Sequence, residues 1–240
     1  MTSDAHQHHP GRSGHHPDRH PDRHPDRHAD RPGDPEQFWE QHYGGLADDW
    51  GTRPNASLVR LVEEHAVVPP RPGAPALDLG AGHGGDAVWL AARGWSVTAV
   101  DVSATALGRI DALATARGVA DGVTTQRHDL AASMPQGPFD LVTACFFQTP
   151  LDLDRDAVLH RASRTLSPGG WLLVVDHAAA PSWAGPDHGH EFPTAEQTLE
   201  GIDLGDRWVV ERSERISRRG TGPDGQQGDL VDNLLVARRL

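Results

Sequence analysis

The chain has 240 residues, 37% of them hydrophobic, which suffices for one sizeable core but is short for two catalytic domains. Its formal net charge of −12 argues against nucleic acid as a partner, because tracking a phosphate backbone needs a basic face, and favours small molecules. A lone cysteine, Cys145, excludes an internal disulfide, and with no apolar run of bilayer length and no signal peptide the expectation is a cytoplasmic protein that makes no membrane contact.

Residues 1–35 are low complexity, with the repeat His16-Pro17-Asp18-Arg19, His20-Pro21-Asp22-Arg23, His24-Pro25-Asp26-Arg27 and His28-Ala29-Asp30-Arg31. Repeated prolines forbid a continuous helix and nothing apolar is available to bury, so a disordered tail is expected. Its histidines leave two readings open, a solvated tail without a role or weak divalent metal binding through neutral imidazoles.

Folded structure is expected from residue 36. Gln37 to Tyr43 reads as a short helix carrying Phe38 and Trp39, and Asp48 to Asn55 as a polar connector around Trp50. Asn55 is a plausible N-cap for a helix with Leu58, Leu61 and Val62 at helical spacing, stopped by Pro69 and Pro70. Ala76 to Asp101, ALDLGAGHGGDAVWLAARGWSVTAVD, then reads as a buried strand, a glycine turn, a helix and a second strand closed by a carboxylate. This is how α/β proteins hold an adenosine-bearing cofactor. Gly80, Gly82, Gly84 and Gly85 let the backbone turn and approach a ligand with no Cβ in the way. The helix is expected to bury Ala87, Leu90, Ala91 and Gly94, with Gly94 as its left-handed cap.

A helix over Thr105 to Arg117 follows, closed by Gly118, and then a strand Val123 to Arg127 leading to His128 and Asp129. Phe139 to Phe146 has the continuous hydrophobicity of a strand covered on both faces. Asp154 to Leu166 reads as a helix stopped by Pro168-Gly169-Gly170, and Trp171 to Val175 as a buried strand ending in Asp176 and His177. Thr194 to Ile202 is a short helix. Trp208 to Arg218 and Leu230 to Arg239, joined by GTGPDGQQG, form an antiparallel hairpin, which is not how a simple parallel dinucleotide fold ends.

GAGHGG satisfies G-x-G-x-x-G from Gly80, so by itself it leaves a nicotinamide-dependent oxidoreductase open. Asp78 extends it to D-x-G-x-G-x-G, and with this motif the chain resembles the class I S-adenosylmethionine-dependent methyltransferases. FDLVTACFF is similar to that family's fourth strand and following loop, LSPGGWLLVVDH to its fifth-strand segment, and the hairpin to its last two strands. FWEQHYGG followed by W-G-x-x-P-N resembles the bacterial branch near the thiopurine and tellurite-resistance methyltransferases. The likeness runs from about Trp39 to Leu240. It implies an α/β Rossmann-like fold: a seven-stranded, mostly parallel sheet with helices on both faces and an antiparallel C-terminal hairpin. The implied parts are an N-terminal helical cover (36–70), a cofactor-binding core (75–177), and an acceptor-side loop with the hairpin (178–240).

The implied activity is methyl transfer from S-adenosyl-L-methionine to a small-molecule acceptor by a monomer, with no metal in the folded domain. A metal-binding protein acting through its tail is a further alternative. Asp101 can accept both ribose hydroxyls, each such charged bond contributing about 1.5–3 kcal/mol, and disfavours a 2′-phosphate. The resemblance puts Gly80, Ala81, Gly82 and Gly84 against the methionine and ribose, Asp78 near the amino-acid end, and Asp129 at the adenine amino group with Leu130 as its apolar neighbour, and Val102 is a further cofactor-binding candidate. It puts Phe146 beside the sulfonium and Trp50 in the cover. Candidates on the acceptor side are Arg53, Asn55, Phe147, Gln148, Trp183 and Phe192, with His188 and His190 in the same loop as Trp183.

Plainer readings compete. Asp78 can serve only the turn, Asp129 can be a loop carboxylate, Phe146 and Phe147 can be core, and Cys145 a small buried hydrophobe. Methyl transfer depends chiefly on alignment, which can contribute about 7–11 kcal/mol. An oxygen or nitrogen acceptor also needs a proton removed, for which His177, or failing it Asp176, is the candidate base; His177 as a structural histidine is the alternative.

Overall fold

Strands apolar on both faces must be covered on both faces, and the two runs that read this way, Ala74–Leu79 (β1) and Phe139–Cys145 (β4), pair side by side at the middle of a seven-stranded sheet. The computed structural model describes residues 33–46, 51–183, 192–222 and 225–240. The expected disordered tail up to residue 32, Trp50, His188 and His190 lie outside the described residues. The other strands are Trp95–Asp101 (β2), Val123–Arg127 (β3), Leu166–His177 (β5), Trp208–Thr221 (β6) and Gln227–Arg239 (β7). Their order is β3-β2-β1-β4-β5-β7-β6, and β7 alone runs opposite to the other six. This is the mostly parallel, Rossmann-like sheet with the closing hairpin that the sequence implies. The order reverses between β1 and β4, and in such sheets ligands bind beyond the strand ends at that reversal.

Among the described residues six α-helices accompany the sheet: Pro35–Gly44 (α1), Ala56–Glu64 (α2), Gly85–Ala91 (α3), Ala104–Ala116 (α4), Arg155–Arg164 (α5) and Ala195–Ile202 (α6). One face of the sheet packs Leu58 and Leu61 of α2, Leu90 of α3 and Ile110 of α4 against Ala76, Val97, Leu141 and Val236. The opposite face packs Val158, Leu159 and Ala162 of α5 and Ile202 of α6 against Leu77, Leu79, Val142 and Val174. Among the described residues no helix is long and apolar enough to cross a membrane.

The N-terminal pair divides in role. α2 is core, since its Leu58 and Leu61 are wholly buried, whereas α1 buries no residue and lies on α4 through polar bonds. Glu40 accepts from the Thr105 N–H (3.1 Å), and Arg109 donates to the carbonyls of Tyr43 (2.8 Å) and Leu46 (3.0 Å). Three local expectations change. α2 stops before its prolines, because Ala66 turns left-handed (φ 49°) and the Val67 N–H returns to the Val62 carbonyl (2.9 Å). Gly94 does have a positive φ (91°), but it is exposed and lies beyond the end of α3 rather than in its buried stripe. Leu166 belongs to β5 and not to α5, because the strand runs through Pro168-Gly169-Gly170 with a register shift against β4.

Candidate functional site

β1 ends in a turn whose glycines have reasons for lacking a side chain. Gly80, Gly82 and Gly84 have φ of 62°, 53° and 80°, the left-handed region that only glycine enters freely. A Cβ at Gly80 would lie 2.7 Å from Phe147 Cδ2, and one at Gly85 would overlap the Arg53 carbonyl oxygen and fall 2.6 Å from that of Gly51. The segment from Gly51 to Asn55 therefore crosses directly over the turn. Because backbone blocks the space at Gly85, Gly85→Ala is expected to cost about 1–3 kcal/mol of stability. Thermal unfolding checks this, and an unchanged Tm would show that the crossing segment yields freely.

Three carboxylates sit around the turn. Asp78 is 2% exposed; its Oδ1 accepts from the Thr143 hydroxyl (2.7 Å), while the buried Oδ2 has no partner. Burial pushes the Asp78 carboxyl up to about 8, with the charge of Asp86 adding to the effect and the Thr143 hydroxyl opposing it. Asp86, in the first turn of α3, accepts from the Asn55 N–H (2.6 Å) and from the Cys145 thiol, and burial raises its pKa too. Burial holds the Cys145 thiol well above its ordinary pKa, and the charges of Asp86 and Asp78 add to this, so it stays protonated and is no nucleophile. Asp101, 4% exposed, accepts from the N–H groups of Gly82 and Ser103, both at 3.0 Å, which ties the end of β2 to the turn.

Beyond the strand ends lies an open cleft, lined by Gly80, Asp101, Val102, Asp129, Leu130, Phe146, Phe147 and Gln148. These eight residues, expected from separate parts of the sequence, thus meet in one place. Asp78, Ala81, Gly82 and Gly84 belong to the adjoining turn, not to the lining. Asp129 is exposed, and its Oδ1 accepts from the Ala131 N–H (2.9 Å). Trp39 and Tyr43 of α1 also line the cleft. Both fall within the expected helical cover, but neither is among the expected site residues, although aromatics four apart on a helix without a buried stripe are a signal of contact with a ligand cleft. Tyr43 is half-buried, and burial together with the Asp101 charge keeps its phenol protonated.

On the β4–β5 side, Phe146 adopts a positive φ (53°) that stacks its ring on His177, with centroids 3.9 Å apart and planes within 9°. Gln148 Nε2 donates to the His177 carbonyl (3.3 Å) and its Oε1 accepts from the His177 N–H (2.9 Å). The Gln148 amide, expected to meet substrate, is thus spent on holding His177. Burial lowers the His177 pKa below the usual histidine value; the Asp232 charge opposes this and Arg218 adds to it. Asp176 is excluded as a free base, because Arg155 Nη2 holds both its oxygens at 2.5 and 2.6 Å. The same guanidinium donates through Nε to the Phe147 carbonyl (2.8 Å), a clamp the sequence did not reveal. Burial nevertheless pushes the Asp176 carboxyl up to about 6.

The remaining acceptor-side candidates do not line the cleft. Asn55 caps α2, its Oδ1 accepting from the Ser57 N–H (2.8 Å), and Arg53 is exposed. Trp183 lies on the hairpin, where a Cβ at Gly228 would come 2.7 Å from its ring, and Phe192 is half-buried.

Residues 76–170 match the family model of a methyltransferase domain. Over 154 residues the chain is 32% identical to the 27-O-demethylrifamycin SV methyltransferase of Amycolatopsis mediterranei (strain S699), an alignment covering 62% of this chain and 56% of that relative. The chain thus spans little more than half the length of the curated relative it matches. Its fold is shared with the solved structure that describes conversion of a disulfide bond into a thioacetal group during echinomycin biosynthesis (TM-score 0.66, 23% identity, 85% of this chain and 92% of that one). It is shared also with TehB from Haemophilus influenzae (TM-score 0.59, 17% identity, 85% and 67%).

Proposed function

We propose that the chain is a class I S-adenosylmethionine-dependent methyltransferase that methylates a hydroxyl of a small molecule, with His177 as the base. The observation that carries this reading is the joining of Asp101, Asp129 and Phe146 in one cleft, with His177 stacked on the last of them. The residues present fit the cofactor. The unpartnered Oδ2 of Asp78 suits a cation, the glycine turn leaves room that a Cβ would fill, and the Asp101 carboxylate, which accepts from the backbone of Gly82 and Ser103, has four lone-pair sites in all and can still accept from ribose. An oxygen acceptor is also what the name of the rifamycin relative describes for that protein.

Bound there, S-adenosylmethionine supplies a methyl on a sulfonium that is open to in-line displacement. Asp101 would hold the ribose, Asp129 would accept from the adenine, and Val102 and Leu130 would give that ring apolar neighbours. Phe146 would offer its ring to the positive sulfur. His177, kept neutral by burial, takes the acceptor's proton on a ring nitrogen, while Gln148 fixes its backbone from both sides. Arg155 holds the Phe147 carbonyl and so the loop that lines the cleft. Trp39 and Tyr43 close the cleft from α1 and exclude water.

A monomer in a reducing compartment is the setting we propose. The edge strand β6 supports it, with Glu211, Arg212, Glu214 and Arg215 along it and a bulge between Val210 and Arg212, features that discourage pairing with a second copy. The test is a screen for S-adenosylhomocysteine release over phenols, alcohols, thiols, amines and tellurite, beside calorimetric binding of S-adenosylmethionine and NAD. Release with hydroxyl acceptors is expected. Tight NAD binding without S-adenosylmethionine binding would overturn the reading.

A further inference from the structure

Strands β5, β7 and β6 carry a row of groups that continues past the cleft on the face where α2 packs. His177 stands opposite Asp232, Arg218 opposite Leu230, and Gly220 opposite Gly228. Paired residues, and residues two apart along a strand, share a face, so these six lie in one row. From Asp232 to Gly228 the row runs about 13 Å. Phe146, which lines the cleft, joins it at one end through its stack on His177.

At the other end the indole of Trp183 rests on glycine. A Cβ at Gly222 would come 2.9 Å from its Nε1, and one at Gly228 2.7 Å from its Cε3. The indole is anchored by its neighbour, since the Ser182 N–H donates to the Asp229 carbonyl (3.2 Å) and the Asp229 N–H donates to Ser182 Oγ (2.9 Å). Between the two aromatic ends, His177, Arg218 and Leu230 are each half-buried.

Asp232 beneath them is wholly buried. Its Oδ2 accepts from the Ser57 hydroxyl of α2 and from Arg218 Nε, both at 2.6 Å, and Arg218 Nη2 approaches its Oδ1 (3.5 Å). Neutralising Asp232 therefore takes one edge of the guanidinium. The other edge, formed by Nη1 and the second N–H of Nη2, has no partner among the described residues. Nη1 lies 3.6 Å from where a Cβ of Gly220 would stand, so glycine there keeps the space beside that edge clear. Held by a buried carboxylate, the fork is pre-organised to take a second one.

We propose that Arg218 receives a carboxylate of the methyl acceptor, and that the acceptor is an aromatic hydroxy acid lying along this row with its hydroxyl at His177. This rests on the reading of His177 as the base for methyl transfer. The length of the row suits one ring or two fused rings between Phe146 and Trp183. A neutral isostere covering the row strips water from the free guanidinium edge and leaves it unpaired, which selects against it.

The test is KM and kcat, read from S-adenosylhomocysteine release by the full chain, for 4-hydroxybenzoate and 6-hydroxy-2-naphthoate, each beside its primary amide. In the native chain each carboxylate should have a KM about tenfold or more below that of its amide. Arg218→Gln should bring that ratio near one, through a rise in the carboxylate's KM rather than a fall in kcat, with the dissociation constant for S-adenosylhomocysteine unchanged. The single substitution leaves Asp232 buried without its cation. Arg218→Gln combined with Asp232→Asn, which puts neutral amides at both positions, therefore guards against a folding failure and should lose the same preference. Equal KM for carboxylate and amide in the native chain, or an equal change for both in the variants, overturns the proposal and leaves the methyltransferase reading intact. So do carboxylates that a chain binding S-adenosylhomocysteine neither binds nor methylates. If the native chain does not bind S-adenosylhomocysteine, that reading fails and the proposal with it.

Discussion

His177→Phe is expected to lower turnover of a hydroxyl acceptor by about 10²–10⁴-fold while the dissociation constant for S-adenosylhomocysteine stays within about twofold. Phenylalanine preserves the stacked contact with Phe146 and removes only the proton acceptor, so the loss reports chemistry rather than packing. Gln148 bonds the backbone of residue 177, and those bonds survive the substitution. Burial lowers the His177 pKa, so the imidazole remains neutral to lower pH than an ordinary histidine. The acid limb of the kcat/KM profile should therefore fall below the usual histidine value of about 6.5, and should vanish in His177→Phe. A thiol acceptor, already a good nucleophile, should lose little. An unchanged kcat for the hydroxyl acceptor would remove His177 from the mechanism and return it to a structural role.

Asp101→Ala is expected to weaken S-adenosylhomocysteine binding about 10²–10³-fold, corresponding to roughly 3–4 kcal/mol. The size reflects two duties. Toward the ligand, the carboxylate would accept the ribose hydroxyls. Toward the protein, it accepts from Gly82 and Ser103 and so fixes the glycine turn against the end of β2. Alanine ends both. Asp101→Asn keeps one accepting oxygen but turns an amide N–H₂ toward one of those donors, and an intermediate loss of about tenfold is expected. Titration calorimetry separates the three proteins, and an unchanged dissociation constant in Asp101→Ala would mean that the ribose is held elsewhere.

What the sequence made legible follows from local rules. The strand, turn, helix and strand of Ala76 to Asp101 could be read because continuous apolar runs, glycine spacing and a terminal acid are each written within a few residues. The cleft lining could be read for the same reason, since Asp101, Asp129 and Phe146 all follow strands that end on one side of a parallel sheet. Partnerships between distant segments were not legible. Gln148 looked like a ligand-facing amide, and only the pairing of β4 with β5 brings it to the His177 backbone. Asp86 has no reading of its own in the sequence, because its partner Asn55 lies on a segment 31 residues away. The cover was read as two helices because both carry apolar residues. Which of them is core depends on contact with β5 and β7, distant in the chain.

The attachment of α1 sets a clock for the enzyme. The helix that brings Trp39 and Tyr43 to the cleft buries no side chain, and it is held to α4 by bonds from Thr105 and Arg109 and to β3 by the solvent-facing pair of Arg127 and Glu36. Contacts of that kind contribute little individually and weaken with salt. Local opening there costs far less than unfolding the sheet behind it. On the proposed reading, spent cofactor would be exchanged by detaching a single helix, and the residence time of product would be a property of a few polar bonds rather than of the core.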